Sequence, residues 1–117
     1  LGTGVTAGTR LTGLLGYEVD QAAGVPTGAT NFTVMGVSPY VANVNNPDGT
    51  QTQVTRNANM SFYVHNSGAQ VFATGSMQWS LGLDDFQAYP GYPQRLNPGA
   101  QGMMRNILNR YLTVPTR

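Results

Sequence analysis

The fold of this chain is decided by residues 68–84, which read Gly-Ala-Gln-Val-Phe-Ala-Thr-Gly-Ser-Met-Gln-Trp-Ser-Leu-Gly-Leu-Asp. The stretch opens on a turn at Gly68 and continues as a short apolar strand. The strand breaks at Gly75, because glycine adopts backbone conformations that strands do not use. An indole, Trp79, and an acid, Asp84, then enter a loop, and an amphipathic segment follows. The order predicted here is strand, loop and helix.

The residues just before this stretch predict the partner of its strand. Residues 60–65 (Met-Ser-Phe-Tyr-Val-His) alternate in the manner of a half-buried strand, and Asn-Ser-Gly at 66–68 is a turn sequence. We therefore predict that residues 59–65 and 69–74 pair as an antiparallel hairpin.

A second hairpin is predicted further upstream. Residues 31–37 (Asn-Phe-Thr-Val-Met-Gly-Val) alternate as a strand, which Ser38-Pro39 is predicted to end. Asn-Asn-Pro-Asp-Gly at 45–49 is the clearest turn signal in the chain, since Asp-Gly suits a turn that needs positive φ. It predicts an exposed hairpin, polar on both faces, that joins Val44 to residues 50–55.

One helix is predicted, over about residues 99–112. Asn97-Pro98 supplies an N-cap and a favourable first helical residue. The apolar residues that follow recur at helical spacing, and we interpret their stripe as core packing. The stripe consists of Met104, Ile107, Leu108, Tyr111 and Leu112, with Met103 at its margin.

Composition excludes several classes of protein. Charged residues make up only 9% of the 117, and the net charge of +1 offers no case for binding nucleic acid or acidic membranes. No apolar run is long enough to predict membrane insertion, and the absence of cysteine excludes disulfides and thiolate chemistry. So weakly charged a surface, rich in Gly, Thr and Asn, is typical of secreted bacterial proteins. We expect an extracellular or cell-surface location.

Aromatic residues gather in the loop that follows Asp84. Tyr89 and Tyr92 lie in a Pro/Gly segment, where binding residues are common. Together with Tyr40, Trp79 and Phe86 they could form an aromatic platform for sugars. The candidate binding residues are Trp79, Asp84, Tyr89 and Tyr92. The alternative is that these side chains pin the loop onto the core.

Catalytic signatures are weak. Ser76, His65 and Asp84 supply the residue types of a hydrolytic triad, but Ser76 lacks the Gly-x-Ser-x-Gly elbow that projects a nucleophile. The acidic residues and His65 do not show the spacing of a metal site. These patterns predict neither a triad nor a metal centre.

The chain also resembles a known family. Residues 68–84 and Met-Met-Arg-Asn-Ile-Leu-Asn-Arg-Tyr-Leu at 103–112 resemble the C-terminal end of the N,N-dimethylformamidase large-subunit-like family. Gly-Val-Thr-Ala-Gly at 4–8 and Leu-Leu-Gly-Tyr-Glu-Val-Asp at 14–20 match that family in the same order. The resemblance covers nearly the whole chain and is weakest between about residues 25 and 57.

The resemblance implies an α/β fold, similar to class I glutamine-amidotransferase-like (flavodoxin-like) domains with a doubly wound parallel sheet. The strand of residues 69–74 and the terminal helix would form its last βα unit. Residues 1–117 are then either a single domain or a C-terminal fragment of a larger amidotransferase-like domain. The expected partner is the upstream part of the same polypeptide or a companion subunit.

The resemblance also implies candidate metal ligands. Family members hydrolyse small amides at an iron ion bound by tyrosine and glutamate, and Tyr17-Glu18 matches those residue types. No cofactor is expected in this chain alone, and iron is a possible cofactor of the complete protein. The residues themselves predict a strand at 14–20, with Tyr17 and Glu18 on opposite faces and Glu18 as a solvated carboxylate in the simplest interpretation.

Three functions follow. The first is an accessory C-terminal portion of an exported bacterial dimethylformamidase-like protein, without catalysis by this chain alone. The second is part of a metal-dependent amidohydrolase acting on non-peptide C–N bonds. The third is a β-rich carbohydrate-binding or adhesion module that uses the loop aromatics.

Overall fold

The computed structural model describes residues 2–87 and 89–113. The chain divides into two compact units, one of Val19–Gly75 and one of Leu1–Glu18 with Ser76–Arg117. In the part of the chain that is described, no helix has both the length and the apolar character needed to cross a membrane.

The Val19–Gly75 unit is built on a three-stranded antiparallel sheet. Its strands are β1 (Thr33–Asn45), β2 (Gln51–Val64) and β3 (Gln70–Ala73), in the order β1-β2-β3. Strand β2 is central and pairs with both neighbours. The two predicted hairpins are therefore confirmed, and they share β2.

The turn between β1 and β2 is held by its own polar groups. Gly49 has a φ of 83°, which L-residues with side chains rarely adopt. The Asn46 amide donates to the Thr50 carbonyl at 2.8 Å. The Asp48 carboxylate accepts from the Thr50 amide at 2.9 Å and from its hydroxyl at 2.6 Å. These contacts fix the register of the hairpin.

Strand β1 is longer than predicted. Ser38-Pro39 does not end it, since Pro39 lies opposite Asn57 within the ladder and pairing continues to Asn45. The prediction was wrong because β1 is an outer strand. An outer strand tolerates a proline whose missing N–H would face away from the sheet.

The second hairpin joins β2 to β3. Phe62 lies opposite Phe72, and the His65 amide donates to the Ala69 carbonyl at 2.8 Å. Gly68 completes the turn with a φ of 89°. The glycine turn and the short apolar strand are as predicted.

The break at Gly75 is also confirmed, and the structure supplies its reason. Gly75 has a φ of 70°, and a Cβ placed there would lie 2.6 Å from the carbonyl carbon of Asn59. The Gly75 carbonyl accepts from the Asp20 amide at 3.1 Å, and the Asp20 carbonyl accepts from the Asn59 amide at 2.8 Å. Only a residue without a side chain allows this close approach.

The predicted strand at residues 14–20 is wrong. Residues 14–16 have no regular secondary structure, and residues 17 and 18 form a bend instead of a ladder. Tyr17 has a φ of 60°, the only positive value at a non-glycine position in the described chain. A left-handed residue reverses the backbone direction and cannot be part of an extended strand.

The second unit is organised by two helices. A 3-10 helix spans Met77–Gly82, in a segment predicted to be a loop, and helix α1 spans Pro98–Thr113. The side chain of Asn97 accepts from the amides of Gly99 and Ala100 at 3.0 and 3.1 Å, so the predicted N-cap is confirmed.

The core of this unit is small. Its buried apolar side chains are Leu14, Trp79, Ala100 and Ile107. A Cβ at Gly82 would lie 2.8 Å from a methyl group of Leu14, so the glycine allows close packing there. The stripe of α1 is core only in part, because Ile107 is buried whereas Leu108 is 52% and Leu112 is 84% exposed. The interpretation of the whole stripe as core packing was wrong.

The described residues thus form an antiparallel sheet in one unit and a C-terminal helix in the other, a small β-rich α/β arrangement. Apart from the strand predicted at residues 14–20, the predicted strands, hairpins and helix are present. The parallel sheet of an amidotransferase-like domain is not among the described strands, and that part of the fold assignment stays a prediction.

Candidate functional site

The 3-10 helix contains Trp79, and its first residues hold the segment of residues 16–18 in place. Ser76 caps it by accepting from the Gln78 amide at 3.2 Å. The same hydroxyl accepts from the Gly16 amide at 3.1 Å and lies 3.3 Å from the Gly16 carbonyl, to which it donates. Ser76 is buried and serves as a structural cross-link between two segments distant in sequence.

This cross-link explains the backbone of Tyr17. Gly16 is held by Ser76, and the carbonyl of Glu18 accepts from the Met77 amide at 3.1 Å. Tyr17 lies between two anchored residues and is forced into the left-handed region, at a cost of about 1–2 kcal/mol for a residue with a side chain. Its side chain is 77% exposed, so core packing does not repay that cost.

Three tyrosines meet on this surface. The Tyr17 and Tyr92 hydroxyls are 3.4 Å apart, a long hydrogen bond. The rings of Tyr89 and Tyr92 make an edge-to-face contact, with centroids 5.1 Å apart and planes inclined by 75°. We call Tyr17, Tyr89 and Tyr92 the tyrosine cluster. The hydrogen bond to Tyr17 and, as a smaller contribution, partial desolvation raise the pKa of the Tyr92 hydroxyl.

The loop after the 3-10 helix is tied by local contacts. Asp84 is exposed, and its carboxylate accepts from the Phe86 amide at 3.0 Å. The Gln87 side chain donates to the Tyr92 carbonyl at 3.2 Å. Arg95 donates to the Gly13 carbonyl at 2.7 Å, which anchors the far end of the loop.

The structure places the candidate binding residues in different surroundings. Tyr89 and Tyr92 lie together, and the structure adds Tyr17 to them. Trp79 is 5% exposed and packs in the core, so its ring face is not available as a platform. Asp84 serves a local turn, and no described contact joins it to the tyrosines.

The candidate metal ligands, Tyr17 and Glu18, are adjacent residues with exposed side chains. Glu18 is exposed, and its backbone carbonyl accepts a hydrogen bond from the Met77 amide. The role of Tyr17 and Glu18 as ligands of an iron ion stays a prediction. Within residues 2–87 and 89–113, no three His, Cys, Asp or Glu side chains are grouped so as to bind a metal.

The triad residues have other partners. The Ser76 hydroxyl bonds Gly16 and Gln78, as described above. The Nδ1 atom of His65 is 2.7 Å from the Ser67 hydroxyl and accepts from the Ser67 amide at 3.2 Å. His65 therefore stabilises the turn that follows β2.

A shallow apolar hollow lies against α1, with a volume of about 290 Å³. Its lining consists of Leu83, Gln101, Met104, Arg105 and Leu108. The Gln101 side chain donates to the Leu83 carbonyl at 2.9 Å, which joins the end of the 3-10 helix to α1. The hollow adjoins the exposed part of the α1 stripe, since Met104 and Leu108 line it.

Sequence reasoning missed the pairing of Tyr17 with Tyr92 and the hollow on α1. The two tyrosines are 75 residues apart, and no local pattern links them. The contribution of Leu83 to the hollow could not be predicted, because the sequence around Leu83 shows no helical periodicity. The sequence signal that did point to this surface was the presence of Tyr89 and Tyr92 in one Pro/Gly-rich loop.

The comparisons with known proteins bear on this picture in three ways. Residues 1–94 match the family model described as N,N-dimethylformamidase beta subunit-like, C-terminal. Neither the curated proteins nor the solved structures contain a match to the chain. The matched region ends before α1, so the tyrosine cluster lies within it and the hollow's helix lies outside. Because the match covers well over half of the sequence, the chain belongs to the N,N-dimethylformamidase beta subunit-like, C-terminal family.

Proposed function

We propose that this chain is the accessory C-terminal part of an exported bacterial N,N-dimethylformamidase-like protein. It performs no catalysis alone and docks onto the upstream part of that polypeptide. The family description supports a C-terminal position in a beta subunit-like protein. The low charge and the absence of lysine support export.

The observation that carries the proposal is the exposed half of the α1 stripe. Residues four apart lie on one side of a helix, so Leu108 and Leu112 form one apolar strip. They are 52% and 84% exposed, and the hollow walled by Leu83 and Met104 continues the strip. Covering one such leucine completely is worth about 1.5–3 kcal/mol. We interpret this contiguous apolar strip as an interaction site.

Charge defines the partner surface further. Helix α1 contains no acidic residue, and Arg105 lies beside the hollow, where no described residue forms an ion pair with it. We propose that the upstream polypeptide contributes an apolar patch with a carboxylate opposite Arg105. Such a pair would orient docking more than it would add affinity.

Co-expression of the 117-residue chain with the upstream polypeptide of its parent protein tests the proposal. The double variant Leu108→Gln/Leu112→Gln removes the strip while keeping good helix formers. The matched control is Asn106→Gln/Asn109→Gln, which alters the other side of α1. We expect the parent chain and the control to co-purify with the upstream polypeptide and the leucine variant to be lost. Equal recovery of the leucine variant, or no association of the parent chain, would show that α1 is not the docking surface.

A further inference from the structure

The tyrosine cluster combines solvent exposure with a constrained backbone, as a binding surface does. Tyr17 holds a strained left-handed backbone although its side chain is 77% exposed. The strain is imposed by anchors on both sides, the Ser76 hydroxyl at Gly16 and the Met77 amide at the Glu18 carbonyl. Strain maintained at an exposed residue points to a use other than packing.

The cluster also has a defined shape. Tyr89 is 59% exposed, and its edge-to-face contact with Tyr92 fixes the angle between the two rings. The contact between the Tyr17 and Tyr92 hydroxyls places two polar groups beside the exposed Tyr17 ring. Apolar ring surface next to hydroxyl groups is complementary to a sugar, which has an apolar C–H face and polar edges.

We propose that the tyrosine cluster binds a neutral polysaccharide, with the flat C–H face of a pyranose unit stacked on Tyr17 and a second unit on Tyr89. This proposal goes beyond the accessory role and does not depend on it. Polysaccharides with equatorial linkages present such flat faces repeatedly, and an open surface accommodates an extended chain.

The surrounding charges favour a neutral ligand. Arg95, three residues after Tyr92 in the sequence, is a cation whose charge disfavours a cationic ligand at this end of the cluster. Glu18, an exposed acid adjacent to Tyr17 in sequence, disfavours phosphate or nucleic acid there. A neutral ligand avoids both penalties.

Titration of the ¹⁵N-labelled full chain with cellohexaose and with chitohexaose, followed by NMR, tests the proposal. We expect shifts of the amide signals of residues 16–18 and of Tyr89, Gly91 and Tyr92 with at least one of the two sugars. Tyr17→Ala and Tyr89→Ala should each weaken binding about tenfold, the factor expected for one lost aromatic contact. The control Val25→Ala, which removes an exposed apolar side chain elsewhere in the chain, should bind as the unmodified chain does.

A second variant separates binding from structure. Asparagine tolerates the left-handed region better than tyrosine, so Tyr17→Asn should melt at or above the temperature of the parent chain while losing sugar binding. Binding of neither sugar by the parent chain would overturn the proposal, as would unchanged binding by Tyr17→Ala. A third outcome is possible: the unmodified chain binds neither sugar, and Tyr17→Ala no longer associates with the upstream polypeptide. That result would assign the cluster to a protein interface instead.

Discussion

Replacing Gly75 by alanine tests the packing on which the Val19–Gly75 unit depends. The added Cβ would lie 2.6 Å from the carbonyl carbon of Asn59 and 3.2 Å from its nitrogen, and closer still to its oxygen. These are main-chain atoms of the central strand β2, so no side chain can rotate away to make room. The backbone of Asn59 or of Gly75 must move.

The cost can be worked out from three contributions. Alanine at a φ of 70° is disfavoured by about 1–2 kcal/mol. Movement also disrupts the hydrogen bonds from the Asp20 amide to Gly75 and from the Asn59 amide to Asp20, each worth about 1 kcal/mol. We expect Gly75→Ala to lower the free energy of unfolding by about 3–4 kcal/mol. That is a large part of the roughly 5–15 kcal/mol that stabilises a domain of this kind.

Urea unfolding followed by far-UV circular dichroism measures this loss. Gly68→Ala is the matched control, because Gly68 also has a positive φ but nothing lies within 4 Å of a Cβ placed there. The control should lose only the conformational contribution of about 1–2 kcal/mol. If Gly75→Ala costs no more than Gly68→Ala, the close approach to Asn59 does not limit stability and the reasoning fails.

Two further predictions concern α1 and the first turn. Ile107→Ala should lower the free energy of unfolding by about 2–4 kcal/mol, because Ile107 is only 9% exposed. Leu112 is 84% exposed, so Leu112→Ala should change this free energy by less than about 0.5 kcal/mol in the isolated chain. Similar losses for the two variants in urea unfolding would mean that the stripe is buried uniformly. The hydroxyl and amide of Thr50 hold the pKa of Asp48 below its usual value, so Asp48 stabilises the turn above the ordinary aspartate pKa and this contribution disappears as pH falls through the lowered one. The difference in melting temperature between the parent and Asp48→Asn should therefore shrink on acidification from about pH 7 to about pH 2, and a difference that is independent of pH would contradict this origin.

Much of the fold could be predicted because its signals are local. The turns at 45–49 and 66–68 were identified from Asp-Gly and Asn-Ser-Gly, whose backbone preferences act within a few residues. The start of α1 at Asn97-Pro98 was predicted for the same reason, since the cap bonds reach only three residues. These elements appear where the sequence places them.

The candidate site was less predictable. The loop aromatics Tyr89 and Tyr92 were identified from composition, and they do lie in contact. Trp79 was grouped with them, but it packs in the core because the segment around it winds into a 3-10 helix. Whether an aromatic ring is presented or buried depends on what the chain packs against it, and no local pattern encodes that.

The sequence by itself determined the hairpins, the capped helix and the break at Gly75, because each depends on backbone preferences of adjacent residues. Only the tertiary structure decided that β1 runs past Pro39, that half of the α1 stripe is uncovered, and that Tyr17 is strained beside Tyr92. Each of these depends on contacts between residues far apart in sequence. The energies involved, about 1–3 kcal/mol each, are as large as the local preferences and therefore override them.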